Sequence, residues 1–134
     1  MTSKVVYQGN LRTEAEHLQS GRKMITDAPV DNHGKGEAFS PTDTVATALA
    51  TCMLTVMGIK AEEMEIELKG TKAEVTKIMA ENPRRISKIE VNLNFPKIYS
   101  EKETKILENT ARTCPVLQSL HPEIEKIITF NYSS

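Results

Sequence analysis

The sequence predicts an α+β fold, and three observations carry that expectation. Stretches of period-two alternation fall in runs instead of alternating one by one with helices. One long apolar segment, opened by a cap, separates the first run from the second. A further capped segment and a last alternating stretch close the chain. The predicted order is three strands, a helix, two strands, two helices and a strand.

Val5-Val6-Tyr7 is the first strand, and Gly9-Asn10 marks the turn after it. Leu11, Thr13, Ala15 and His17 then alternate with Arg12, Glu14, Glu16 and Leu18. Ser20-Gly21 is a second turn, so residues 23–27 return as a third strand. The first forty residues therefore read as an antiparallel meander. A loop over residues 28–39 follows, with Pro29, Gly34 and Gly36.

Ser40-Pro41-Thr42-Asp43 opens a helix. Serine suits the N-cap, and proline suits the first position, where a missing N–H costs nothing. Asp43 falls where a carboxylate accepts from free N–H groups and opposes the positive dipole end. The helix is expected to reach about Lys60, with Val45, Leu49, Cys52, Val56 and Ile59 or Lys60 on one face. Ala46, Ala48 and Ala50 keep it slim, as in a helix packed closely at the centre of a fold.

Met64, Ile66 and Leu68 alternate with charged residues and predict a strand, continued after Gly70 by Ala73 and Val75. Ile89, Val91, Leu93 and Phe95 predict the next. Ser100 and Glu103 form a capping-box pattern at the start of a second helix. Cys114-Pro115 ends that helix and starts a short one, which His121-Pro122 closes. Ile128, Phe130 and Tyr132 alternate in a last strand.

With 134 residues the chain is expected to form one domain, spanning 1–134. Its 39% apolar and 26% charged residues are an ordinary globular balance. Seventeen basic and eighteen acidic residues leave a formal charge of −1, which argues against nucleic acid as a partner. Three Phe, three Tyr and no Trp argue against a base-stacking platform. No apolar core near Met1 suggests a signal peptide. The most apolar stretch, residues 45–59, is shorter than the ~20 residues a bilayer span needs. A cytoplasmic protein without membrane association is the expectation.

Two cysteines, Cys52 and Cys114, are too few for a secreted disulfide scaffold. They are either two packed thiols or a redox device. Both are expected on inward helix faces, where they can meet. Cys114 precedes a short helix whose free N–H groups would favour a thiolate. On that ground Cys114 is the more acidified thiol. Cys52, deep in its helix, needs a nearby cation, and Arg12 and Arg22 are the candidates. Arg84 and Arg85 read as solvated loop residues. His17, His33 and His121 have no ligand-like spacing and CxxC is absent, so neither zinc nor another cofactor is expected. Asp27, Asp31 and Asp43 read as turn and cap residues. Gly34-Lys35-Gly36 is too short for a phosphate loop.

The runs Thr26-Asp27-Ala28-Pro29, Gly34-Lys35-Gly36, Phe39-Ser40-Pro41-Thr42-Asp43, the stretch from Ala46 to Met53, and Cys114-Pro115-Val116 together resemble the OsmC/Ohr family. The name stands for osmotically inducible protein C and organic hydroperoxide resistance. The resemblance covers nearly the whole chain and points to the short OsmC-related redox proteins. It implies an intertwined homodimer, with antiparallel sheets wrapped around two long central helices. It also implies a thiol-dependent peroxidase that reduces organic, fatty-acid-like hydroperoxides in oxidative-stress defence. Cys52 would be the peroxidatic cysteine and Cys114 the resolving one. Arg12 would hold the thiolate, and an external dithiol would reduce the disulfide. The alternative is a non-catalytic redox sensor or a binder of small apolar ligands. One departure stands out. The family's peroxidases carry a glutamate after the helix-start proline that positions the arginine, and this chain has Thr42 there. Dimerisation is further expected because the apolar helix offers little polar face for one chain to leave uncovered.

Overall fold

The computed structural model describes residues 1–133. They gather into two compact units, Met1–Val45 and a second that starts at Ala46.

The first unit is the expected meander. Strands β1 (Ser3–Gly9), β2 (Arg12–His17) and β3 (Lys23–Asp27) pair antiparallel in that order. Asn10 and Leu11 join β1 to β2 with φ of 53° and 63°. Two left-handed residues in a row make a mirror-image turn whose twist suits a hairpin. At the other hairpin the His17 N–H donates to the Arg22 carbonyl at 2.8 Å, and Gly21 adopts the left-handed φ of 74°. The resulting register sets Arg12 opposite Asp27 and Thr13 opposite Thr26.

The loop over residues 28–39 is tied to this sheet at both ends. Ala28 N–H donates to the Leu11 carbonyl and Asp27 N–H to the Phe39 carbonyl. A single 3-10 turn, Val30–Asn32, lies within it. Gly34 passes so close to Ala28 that a Cβ there would sit 1.7 Å from the Ala28 oxygen, so only glycine fits. Val5, Val6, Tyr7, Leu11, Met24 and Ile25 are all exposed.

Helix α1 (Pro41–Glu63) starts as its sequence specifies. Asp43 N–H donates to Ser40 Oγ, and Ser40 N–H donates to Asp43 Oδ2, both at 3.0 Å. These two bonds satisfy two of the donors that a helix start leaves open. The helix runs three residues past Lys60. The chain turns off it at Glu65, which takes a left-handed φ of 57°. Ile66 N–H then reaches the Ala61 carbonyl and Glu65 N–H the Glu62 carbonyl, the paired closing bonds of a Schellman end.

The buried face of α1 is rotated from the expected one. Ala46, Leu49, Ala50, Met53, Met57 and Ala61 are buried, at steps of one to four residues that keep them on one stripe. Val45 and Ile59 are exposed instead. The stripe joins small alanines to flexible methionines and Leu49, and it packs into one cluster with Ile89, Val91, Leu93 and Phe95. With 23 residues, α1 is also longer than the 45–59 stretch implied, and by length and apolarity it could cross a bilayer. Its buried stripe belongs to the protein core, which is the packing of a core helix.

The second unit carries that core. Strands β4 (Lys72–Ala80) and β5 (Arg85–Phe95) are antiparallel, and β6 (Glu125–Tyr132) adds to β5 in parallel. This sheet is therefore mixed, where antiparallel sheets were expected. The reason is the connection. A parallel neighbour needs a crossover, and helices α2 (Glu101–Ala111) and α3 (Pro115–Ser119) supply it. Ile89, Val91, Leu93 and Phe95 are fully buried along β5. Phe95 stacks on Phe130 and Tyr132, with Tyr99 edge-on. Burying side chains of this size contributes about 1.5–3 kcal/mol each.

Residues 64–68 do not form the strand that their alternation predicted. Their polar backbone groups are taken by other partners. The Leu68 carbonyl accepts from Thr71, the Glu67 carbonyl from the Tyr99 hydroxyl, and Lys69 N–H donates to the Glu67 side chain. The strand begins only at Lys72.

Candidate functional site

In the second unit α1 carries Cys52, which is half-buried, one step from the buried Met53. Cys114 is fully buried. It lies in the junction between α2 and α3, as the N-cap of α3, rather than within a helix. Pro115 fixes this geometry, since proline at the first helical position cannot continue α2 but readily starts α3. Leu117 N–H donates to Cys114 Sγ at 3.4 Å. The two cysteines are neighbours: the Cys52 side chain lies near enough to act on the Cys114 thiol, and both are free.

The expectation that Cys114 is the more acidified thiol is overturned. Burial is the largest influence and pushes its pKa above the ordinary thiol value. The neighbouring Cys52 sulfur pushes it further up. The Leu117 and Val116 N–H groups act in the opposite direction but do not win. Five residues of helix offer too little dipole to offset desolvation of a sulfur with no water contact. Cys114 is thus held as a thiol.

In the first unit the sequence-selected arginine has a defined place. Arg12 opens β2 and is one-third exposed, whereas Asp27 at the end of β3 is only 3% exposed. Arg12 Nε donates to Asp27 Oδ1 and Nη2 to Asp27 Oδ2, each at 2.7 Å. This is a two-bonded fork, short as charge-assisted bonds are. Nη2 also reaches the exposed Glu37 at 3.3 Å. The Asp27 carboxyl is held below the usual carboxylate range, first by the Arg12 hydrogen bonds and then by the Arg12 charge. A backbone N–H from Glu37 and the charge of Lys35 add to this. Arg12 is pushed up in turn, chiefly by the same bond. Gln8, Gly9, Asn10, Arg12 and Lys35 line a cleft of about 160 Å³.

Thr42 left the arginine without a carboxylate in the sequence, and the structure supplies Asp27 and Glu37. Asp27 had read as a turn residue. The signal that could have found it is the hairpin register. Once the turn is centred on Gln19 and Ser20, position 12 faces position 27 on the same side of the sheet.

The remaining candidates separate. Arg22 is exposed, and its backbone N–H donates to Ser20 Oγ. Arg84 pairs with Glu81, and Arg85 donates to the Glu81 and Pro83 carbonyls. His17 bonds Ser20, and His121 accepts from Glu123 N–H. Among the described residues no three His, Cys, Asp or Glu side chains cluster as a metal site would require.

Comparison with known proteins adds the relationship. The family model of OsmC-like proteins matches residues 34–128. A protein from Psychrobacter arcticus 273-4, provisionally described as an osmotic stress induced and detoxification response protein, is 58% identical. The match covers 97% of this chain and 95% of that one, with a TM-score of 0.94. An organic hydroperoxide resistance protein OsmC from Legionella pneumophila shares the fold at 16% identity, with 96% and 94% coverage and a TM-score of 0.75. An organic hydroperoxide resistance protein from Elizabethkingia anophelis, with thiocyanate bound, does so at 14% identity, 99% and 97% coverage and a TM-score of 0.76. No curated protein sequence matches. The family match over most of the chain, and a relative sharing more than half its residues, make this chain a member of the OsmC-like protein family.

Proposed function

We propose that this chain is a stress-defence enzyme that reduces organic hydroperoxides with Cys52 and Cys114. The observation that carries the reading is the thiol pair: Cys52, half-buried, packed against the core cluster beside a fully buried Cys114. The similarity to a detoxification-response protein, and the fold shared with organic hydroperoxide resistance proteins, support it.

In the proposed cycle the Cys52 thiolate attacks the distal oxygen of the hydroperoxide. The O–O bond breaks, and the leaving alkoxide takes up a proton and departs as an alcohol. Cys52 is left as a sulfenic acid. Cys114 then loses its proton and attacks the Cys52 sulfur. The S–O bond breaks, water leaves, and a disulfide joins the two residues. An external dithiol returns two electrons and two protons. Cys52 attacks because it is the more accessible sulfur, and Cys114 resolves because burial keeps it protonated until it is needed. Arg12 is the cation proposed to favour the Cys52 thiolate. No metal or organic cofactor takes part.

The working form is proposed to be a cytoplasmic homodimer of a single domain over residues 1–134, bound to neither membrane nor nucleic acid. The exposed Val5, Val6, Tyr7, Met24 and Ile25 are the apolar surface that such a dimer would cover.

The test is to add one equivalent of cumene hydroperoxide to the reduced protein. Loss of two thiols per chain is expected, with one cumyl alcohol formed and a peptide linking Cys52 to Cys114 within one chain. Cys52→Ser should abolish alcohol formation, and Cys114→Ser should form the alcohol once and stop at the sulfenic acid. Unchanged thiols in the wild type would overturn the enzyme reading and favour a binding protein.

A further inference from the structure

We propose that Asp27 is the positioning residue of the proposed peroxidase, fixing the Arg12 guanidinium in one orientation through its buried carboxylate. This rests on the proposed role of Arg12.

The geometry is specific. A guanidinium is planar and presents its donors in a rigid fork, so two parallel bonds to one carboxylate set both its position and its plane. Asp27 grips the edge formed by Nε and Nη2. That grip leaves Nη1, with its two N–H groups, outside the fork. An arginine held by its side edge keeps its end available to another anion while its long stem loses its freedom.

The carboxylate is itself fixed. Asp27 N–H is bonded to the Phe39 carbonyl, and the Glu37 backbone lies near enough to favour the Asp27 charge. The backbone pairing of β2 with β3 sets the two residues directly opposite each other. Asp27 and Ser40 are the buried polar residues among those described. A carboxylate so buried is costly unless its charge is fully partnered, and Arg12 is that partner. Glu37 also reaches Arg12, but at 3.3 Å and from an exposed side chain. Such a contact contributes little and does not set orientation. The acidic pair therefore divides: Asp27 positions and Glu37 merely neighbours.

The experiment compares Asp27→Asn, Asp27→Glu, Glu37→Gln and Arg12→Met, alone and with Arg12→Met combined with Asp27→Asn. The rate of thiol oxidation by cumene hydroperoxide is followed from pH 5 to 9. Arg12→Met should raise the apparent pKa of the rate and slow it at pH 7 by about tenfold, since a nearby cation moves a pKa by one unit or more. Asp27→Asn should move the profile the same way, and the double variant should be no slower than Arg12→Met alone. Asp27→Glu should recover part of the loss, and Glu37→Gln should stay within twofold of wild type. An Asp27→Asn profile on the wild-type curve, beside a shifted Arg12→Met, would overturn the positioning role and leave the role of Arg12 standing. An unshifted Arg12→Met would sink both.

A second measurement keeps the proposal falsifiable if Asp27→Asn does not fold. In the wild type, the Arg12 Nε–H should give a resolved, slowly exchanging NMR signal at neutral pH. It should vanish as acid protonates Asp27. A signal already averaged at pH 7 would show that no fixed fork exists, and the proposal would fall.

Discussion

The two units of this chain hold themselves together by different physics. Among the described residues, the buried apolar side chains all lie from Ala46 onward, whereas the buried polar ones, Asp27 and Ser40, belong to the first forty-five. The second unit is a packed core of α1, β5 and the crossover helices. The first is a sheet of backbone ladders with exposed apolar residues and one ion pair whose carboxylate is buried. The difference teaches where each kind of chemistry can be built. Thiols are poised by burial, and a packed core supplies it. A guanidinium is aimed by charged bonds, and a regular hairpin supplies those.

The sharpest way to break this comparison is to cut into both units. Leu49→Ala removes a fully buried side chain of the core stripe and should cost about 2–5 kcal/mol in urea unfolding. Thr13→Ala, in the half-buried hydroxyl pair with Thr26, should cost about 1 kcal/mol. Equal losses would mean that the first unit has a core in solution, as covering by a partner chain would give it.

The second prediction concerns the thiols. Because burial raises the Cys114 pKa, the resolving step should quicken with pH across the neutral range. Each unit should bring about a tenfold gain while the thiolate remains the minor form. Stopped-flow measurement of sulfenic acid decay checks this. A rate flat between pH 6 and 8 would mean that Cys114 is already ionised, and that α3 outweighs burial after all.

These contrasts also explain what could be read in the sequence. The meander, both helix caps, the clean alternation of β5 and the Cys114-Pro115 break are local features, written in residues within a few positions of each other. The parallel joining of β6 depends on where α2 and α3 carry the chain, which no local pattern states. Residues 64–68 alternate like a strand, yet a Schellman end and the Tyr99 hydroxyl claim their backbone first. The cysteine pair was legible as a pair. Its acidity was not, because the sequence shows the α3 N–H groups but not the burial that opposes them. Asp27 was hidden for a similar reason: its partner lies fifteen residues back and is found only through the register.

A third test separates the units in acid. The Asp27 pKa is lowered on folding, so its stabilising effect is present above the ordinary carboxylate range. That effect is lost as pH falls through the folded value. Amide signals of β2 and β3 should therefore shift together at a pH below the usual carboxylate midpoint, and Asp27→Asn should remove that transition. Strand β5, with its buried apolar inner face, should show no transition of the same midpoint.

The smallest effect compares one device in two settings. Ser40 caps α1 and Ser100 caps α2, each accepting from the backbone N–H three residues on. Each also receives a carboxylate in return, from Asp43 or Glu103. Losing such a cap costs about 0.5–2 kcal/mol. The two differ in burial, since Ser40 is 1% exposed and Ser100 is exposed. Water replaces the lost partner readily at the exposed start of α2 and less readily at the start of α1, where Ser40 itself is buried. Ser40→Ala should therefore fall near the upper end of that range and Ser100→Ala near the lower, in parallel urea titrations. Ser40→Gly, which keeps the cap backbone but not the side chain, should cost as much as alanine at this position, because both remove the buried hydroxyl that accepts the bond. A Ser100→Ala loss equal to that of Ser40→Ala would show that water reaches both helix starts alike.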